Sequence, residues 1–356
     1  MTKERAIKTV TKWIIEIGSK TDNYVGAYFS GSIIDRENNE RLSPTSDVDV
    51  FVVLSCEKCP EKLGKFIYDN LLIEISYIEL DRLLPPKELV KIDVLAGSFF
   101  KNNIIDDPTG ILHDIHKAVK FDFSKMKNVI DRRNRCIQRS QNGLQNVEGT
   151  LQYFDYFTNW LFSTAITTHA VLASALKNPT VRLRYLRVRE VLEEYGYMDF
   201  YEELLALLHC SDFTRKQVEF HMENMEKVFD LTVPYSNNQF PFCSDISKDS
   251  KVISIDGSYE LIENGNHREA VFWIAATVSR CHKILHSAGQ NKLISELKPS
   301  FQVLMNDLGV STFDDIKRSS EKSLSFLPKL KIVTDEMISR NKQISTCINF
   351  DMFFKN

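Results

Sequence analysis

FSGSIIDRENNERLSPTSDVDVFVVL, residues Phe29 to Leu54, places two acids, Asp47 and Asp49, one residue apart at the head of a run that continues Val50, Phe51, Val52, Val53 and Leu54. That run reads as a buried β-strand. Successive side chains on a strand point to opposite faces, so both carboxylates share one face while Val48, Val50 and Val52 take the other. Carboxylates so placed stand about 6 to 7 Å apart. At an effective dielectric of about 20 they repel each other by ~2–3 kcal/mol. A cation would relieve that repulsion; a solvated strand start, just after Pro44 and Ser46, is the plainer alternative.

Two neighbours favour the cation. Glu74 sits in LLIEISYI, an apolar strand pattern in which a lone glutamate is costly to bury without a partner. A third oxygen ligand for a shared cation explains it. Gly31 and Ser32 follow the apolar run Tyr24 to Phe29, and a glycine lets backbone approach a phosphate whose oxygens a serine hydroxyl and backbone N–H groups can hold. Taken alone, Gly-Ser is also a very common turn.

The surrounding pattern is mixed. Apolar spacing predicts a helix over 3–18, strands over 24–29, 48–54 and 71–78, a helix over 61–70, a short strand near 103–105 and a helix after the turn at Asp107 to Gly110. After about residue 125 helical patterns take over, at 126–145, 147–177, 181–195, 199–209, 213–229, 266–287 and 323–344. The exception is 233–258, rich in Pro, Ser, Asn and Asp, which reads as a long loop with one short strand at 252–255; loops of this length in compact domains are often functional.

The residues Phe29-Ser30-Gly31-Ser32, then Asp47-Val48-Asp49-Val50, then Glu74 resemble the signature of the nucleotidyltransferase superfamily built on the DNA polymerase β-like fold. That signature is a hydrophobic residue, Gly, Gly or Ser, a spacer, acid-hydrophobic-acid-hydrophobic, and a third acid on a later strand. The fourteen residues between Ser32 and Asp47 make a slightly long spacer and suggest an insertion near Asp35 to Arg41. The likeness covers roughly residues 20–120, and the layout looks most like the bacterial antibiotic nucleotidyltransferases for aminoglycosides and lincosamides. No subfamily motif is matched in the helical part, so the acceptor is not carried over.

What the resemblance implies is an α+β chain with a polymerase β-like catalytic domain and mixed sheet at 1–124, followed by an all-α acceptor-binding domain at 125–356. It further implies that Asp47, Asp49 and Glu74 are catalytic and hold two Mg²⁺ ions, the third acid serving the ion nearest the attacking hydroxyl, while Gly31 and Ser32 hold the β- and γ-phosphates of a nucleoside triphosphate. The expected reaction moves a nucleoside monophosphate, AMP from ATP foremost, to a hydroxyl of a small molecule and releases pyrophosphate. A protein, RNA or second-nucleotide acceptor is the alternative, as is a nucleotide-binding relative without catalysis. Relatives of the antibiotic-modifying kind sometimes build a site between two subunits, which leaves a homodimer open.

Composition narrows the partners. A formal charge of -3 and a pI near 6.3 give no global pull toward nucleic acid, and no stretch reaches the ~18 consecutive apolar residues of a membrane-spanning helix. The start, MTKERAIKTVTKWII, lacks the uninterrupted apolar core of a signal peptide. A soluble, cytoplasmic protein is expected. Seven scattered cysteines make no disulfide framework, and Cys56 with Cys59 reads as a loop after a strand. Glu148 is the one general-base candidate, with a solvated helix glutamate as the plainer reading. Arg132, Arg135 and Arg139 form a basic helix stripe, and Arg182, Arg184, Arg187 and Arg189 a second basic cluster, each able to meet triphosphate or an anionic acceptor or simply to face solvent. His267 and Glu269 open an apolar helix after the long loop and mark either an acceptor site or an ordinary helix start.

Overall fold

Apolar alternation along Tyr24–Phe29 (β1), Val48–Leu54 (β2), Gly64–Tyr68 (β3), Leu71–Glu79 (β4) and Ile104–Asp106 (β5) builds one five-stranded sheet of order β3-β4-β2-β1-β5. This is seen in a computed structural model, which describes residues 1–149, 151–236 and 242–345. β2 and β4 run parallel and every other pair is antiparallel, so the sheet is mixed as expected. The chain is α+β, with a helical second part.

The first helix, Lys3–Glu16 (α1), starts where the Thr2 hydroxyl accepts the Arg5 N–H, which satisfies one of the otherwise free donors of its first turn. Its Ala6, Val10, Trp13 and Ile14 pack on Val48, Val50, Val52, Ile73 and Ile75, closing one sheet face. The opposite face is divided along the strands. Tyr28, Val53 and Ile78 lie under Pro86–Leu89 (α2), Asp93–Phe100 (α3) and Ile111–Asp122 (α4), while Asp47 and Asp49, at the start of β2, stand beyond that cover.

The helical part runs through Met126–Gln145 (α5), Tyr153–Ala165 (α6), Thr167–Ser174 (α7), Arg184–Tyr195 (α8), Met198–Leu207 (α9), Arg215–Thr232 (α10), Gly257–Glu263 (α11), His267–Ser287 (α12), Asn291–Asp307 (α13) and Phe313–Arg340 (α14). Reciprocal side-chain caps fix the starts of α10, by Thr214 and Gln217, and of α14, by Thr312 and Asp315. A left-handed Gly196 ends α8. Phe157, Trp160, Tyr201, Phe272 and Phe301 anchor one large core. Among the described residues no helix is long and apolar enough to cross a membrane.

Four local expectations are corrected. Residues 61–70 do not form a helix: Gly64–Tyr68 is strand β3, joined to β4 through Asp69 and Asn70, both with positive φ, the two-residue turn that suits a twisted hairpin. The strand expected at 252–255 is a π-helical turn, Val252–Asp256, leading into α11. The expected helix 147–177 begins only at Tyr153 and divides into α6 and α7, and its Thr150 lies outside the described residues. Helix α13 was not anticipated and α14 starts ten residues earlier than expected. Both carry an internal proline, Pro299 and Pro328, which removes a helical hydrogen bond and reads as a break.

Burial lowers the pKa of several histidines in the helical part, His282 among them. His282 takes the Tyr153 hydroxyl on Nδ1 at 2.8 Å, while its Nε2 is buried without a partner, and burial pulls its pKa down to about 4. The unfolded imidazole titrates at about 6.5, so between those values the unfolded chain binds a proton that the fold refuses. Stability that is fully present above pH ~6.5 is therefore lost as pH falls toward 4, by about 3 kcal/mol. Denaturant unfolding at several pH values should show this acid slope shallower in His282→Asn than in wild type; parallel slopes would remove His282 from the account.

Candidate active site

Strand register assembles the acids. Asp49 lies opposite Glu74 in the parallel β2–β4 pair, and Lys65 lies opposite Glu74 in the antiparallel β3–β4 pair. Neighbouring strands are about 4.8 Å apart, so Lys65, Glu74 and Asp49 form one row across three strands, with Asp47 two residues back on the same face. One oxygen from each of Asp47, Asp49 and Glu74 lies within 4.8 Å of the other two. The structure thus brings together the three acids predicted from the sequence.

Gly31 closes the row on the β1 side. The Ser30 N–H donates to the Asp49 carbonyl at 2.9 Å, and Gly31 follows in the left-handed region, φ 63°. A Cβ there would overlap the Asp49 carboxylate, so only glycine lets this backbone lie against the acid. Ser32 is exposed on the following 3₁₀ turn, Gly31–Asp35.

Lysine and a fourth acid complete the centre. The Lys65 ammonium, 7% exposed, lies 3.0 Å from Asp47 Oδ2 and 3.2 Å from Asp245 Oδ1 and donates to Glu74 Oε2. Lys62 Nζ reaches the other Glu74 oxygen at 2.6 Å, and Arg280 Nη1 stands 3.3 Å from Asp245 Oδ2. Burial, then the charges of Asp47 and Glu74, push the Asp49 carboxyl well above the ordinary range. Burial acts against Glu74 and Asp245 as well, but Lys65 with Lys62 outweighs it for Glu74, and Lys65 with Arg280 for Asp245, so both stay below their ordinary values. The same carboxylates outweigh burial at Lys65 and hold its ammonium charged.

Sequence reasoning missed Lys65 and Asp245. The helix expected over 61–70 hid the first, although Asp69-Asn70 between two alternating runs is a hairpin signal. The second lies on the turn Cys243–Asp245, inside the stretch 233–258 expected to be a long loop, of which 237–241 lie outside the described residues.

Other candidates are elsewhere or have structural partners. Glu148 is exposed before α6, beside Gly149, which packs on Phe313. Arg132 is buried and donates to the carbonyls of Val90 and Phe123, and Arg139 pairs with Asp93 at 3.0 Å, so two residues of the stripe tie α5 to the sheet part; Arg135 is exposed. Arg182 donates to the Gly257 and Thr45 carbonyls, linking the helices to the loop before Asp47. Arg187 pairs with Glu190, and Arg189 with the buried Glu269, which also accepts from Tyr201. His267 lies 3.0 Å from the Phe213 carbonyl, so it and Glu269 belong to an ordinary helix start.

No family model matches the chain, and no curated protein matches it by sequence. Among solved structures, a nucleotidyltransferase-like protein from Exiguobacterium sibiricum aligns with 73% of this chain and 92% of its own, at 12% identity and a TM-score of 0.28. A likeness this loose transfers no residue role.

Proposed function

We propose that this chain is a magnesium-dependent nucleotidyltransferase that moves a nucleoside monophosphate, AMP from ATP foremost, to a hydroxyl of a small molecule and releases pyrophosphate. The observation that carries the reading is the convergence of Asp47, Asp49 and Glu74 on one sheet face, with an oxygen of each within 4.8 Å of the others. Three carboxylates are the hard oxygen donors that Mg²⁺ takes, and a cation there would displace the proton that burial and the neighbouring acids favour on Asp49. Magnesium bound there would neutralise phosphate charge and lower the pKa of the attacking hydroxyl.

The chain's own residues supply position. Asp49 lies on β2 and Asp47 immediately before it, on the same face, so an ion held on both would be presented to the same phosphate. Gly31, free of a side chain, lets the backbone lie against the Asp49 carboxylate, where its N–H and the exposed Ser32 hydroxyl would meet the β- and γ-phosphates. In the reaction the acceptor oxygen bonds to the α-phosphorus as the bond to pyrophosphate breaks, and the hydroxyl proton leaves to solvent. Glu74, on the β4 side, lies toward the incoming hydroxyl. Lys65 shares the acids with any incoming cation and keeps Asp245 as its own partner.

The test is direct. Purified protein is incubated with Mg²⁺, each of four nucleoside triphosphates and a panel of small hydroxyl compounds. One nucleotide should release pyrophosphate, with an acceptor gaining the mass of its monophosphate. Failure of every combination would count against the proposal.

A further inference from the structure

Next to Asp245, which Arg280 reaches at 3.3 Å, the helical part holds a set of buried donor atoms without acceptors among the described residues. Arg184 is 2% exposed, its Nε donates to the Val181 carbonyl, and its Nη1 has no hydrogen-bond partner among the described residues. Its guanidinium lies 4.0 Å from the Phe272 ring centre and makes no ion pair with an acid among the described residues. Burial and the nearby cations Arg280 and Arg139 all disfavour its charge. Arg280 shares the ring of Phe162 with it, the two guanidinium carbons standing 5.5 and 5.7 Å from that ring's centre. Arg280 Nη1 is also without a hydrogen bond, its 3.3 Å approach to Asp245 being an ion pair only.

The same face of α12 carries two more. Trp273, Thr277 and Arg280 recur at helical spacing, and Trp273 Nε1 and Thr277 Oγ1 are buried with no partner. Buried polar groups are normally paired, and a buried charge without a counter-charge is among the costliest exceptions. Four such atoms, all able to donate and two of them on arginines, call for an acceptor-rich, negative group.

Resting on the nucleotidyltransferase reading, we infer that Arg184 and Arg280 form the subsite for an anionic group, phosphate or carboxylate, on the acceptor. In-line displacement puts the attacking hydroxyl opposite the departing pyrophosphate. With the triphosphate over Gly31 and Ser32 on the β1 side, the acceptor would enter over Glu74, Lys65 and Asp245, next to Arg280, which pairs with Asp245 and shares the Phe162 ring with Arg184. The acceptor is then a hydroxy acid or a hydroxylated phosphate compound. A polycationic sugar is repelled.

The subsite is tested with inorganic phosphate and with acetate on the full chain, in chloride buffer with EDTA at constant ionic strength, by thermal unfolding. Wild type should show a saturable rise of several degrees with one of the two anions, and the one that acts tells phosphate from carboxylate. Arg184→Met and Arg280→Gln should lose the rise, and Arg280→Lys, which keeps charge without the fork, should keep part of it if Arg280→Gln does not fold. Asp47→Asn with Asp49→Asn should keep the rise in full. That last protein separates the two ideas: an anion effect that persists where magnesium and nucleotide have none leaves the subsite standing without the transferase. Equal rises in wild type and the arginine variants, or no rise in wild type with either anion, would overturn the inference.

Discussion

Asp47→Asn combined with Asp49→Asn should release pyrophosphate about 10³-fold more slowly than wild type, or less than that, while melting within a few degrees of it. Metal-held phosphate charge contributes several kcal/mol to such a transfer, and each ~1.4 kcal/mol is tenfold in rate. Stability moves differently. Burial and the charges of Asp47 and Glu74 disfavour ionised Asp49, so an amide of the same shape relieves a cost. Asp47 gives up its 3.0 Å contact with Lys65, but Lys65 keeps Glu74 and Asp245. A large activity loss with little change in melting is the signature of residues kept for a ligand. Collapse of the fold in the double variant, or unchanged turnover, would contradict it.

Lys65→Met should have the largest effect on the fold itself. The ammonium is almost wholly buried and meets Asp47, Glu74 and Asp245 at once; among the described residues, Lys62 and Arg280 are the other cations paired with that set. Removing one partner from a buried ionic group costs about 3–5 kcal/mol, because the carboxylates remain buried and undercompensated. On the proposed function, magnesium bound at those same acids should restore part of the loss as its concentration rises. Denaturant unfolding across a magnesium series measures both. A variant as stable as wild type, or one indifferent to magnesium, would mean that Lys65 does not neutralise the acids.

The acid row was legible because β-strand alternation is strict. Asp47 and Asp49 had to share a face, and Glu74 stood out as a charge in an apolar strand. Which strands are neighbours is not a local property, and the β2–β4 pairing that sets Asp49 beside Glu74 emerges only when β3 turns back on β4. Helix α5 was legible to its bounds, since Val129, Cys136 and Leu144 repeat on a single buried face. β3 was misread because a five-residue edge strand carries too few apolar positions to outweigh a charged, helix-compatible flank in EKLGKFIYDN. Asp245 has no local signal at all. Its role comes from the distance to Lys65 and Arg280, contributed by segments 180 and 35 residues away. The arginine clusters show the same limit: spacing identified their faces, but only tertiary packing shows that Arg132, Arg182 and Arg184 hold carbonyls and that Arg184 makes no ion pair with an acid among the described residues.

The central claim is that Asp47, Asp49 and Glu74 bind a nucleoside triphosphate through magnesium. Its most direct test is the melting temperature with each of four nucleoside triphosphates, with and without Mg²⁺, for wild type and for Asp47→Asn with Asp49→Asn. A ligand at about 100 times its Kd adds ~2.7 kcal/mol, enough to move the midpoint by several degrees. The account predicts a magnesium-dependent rise with one nucleotide that the double variant loses. No rise with any nucleotide, or the same rise in both proteins, would contradict it.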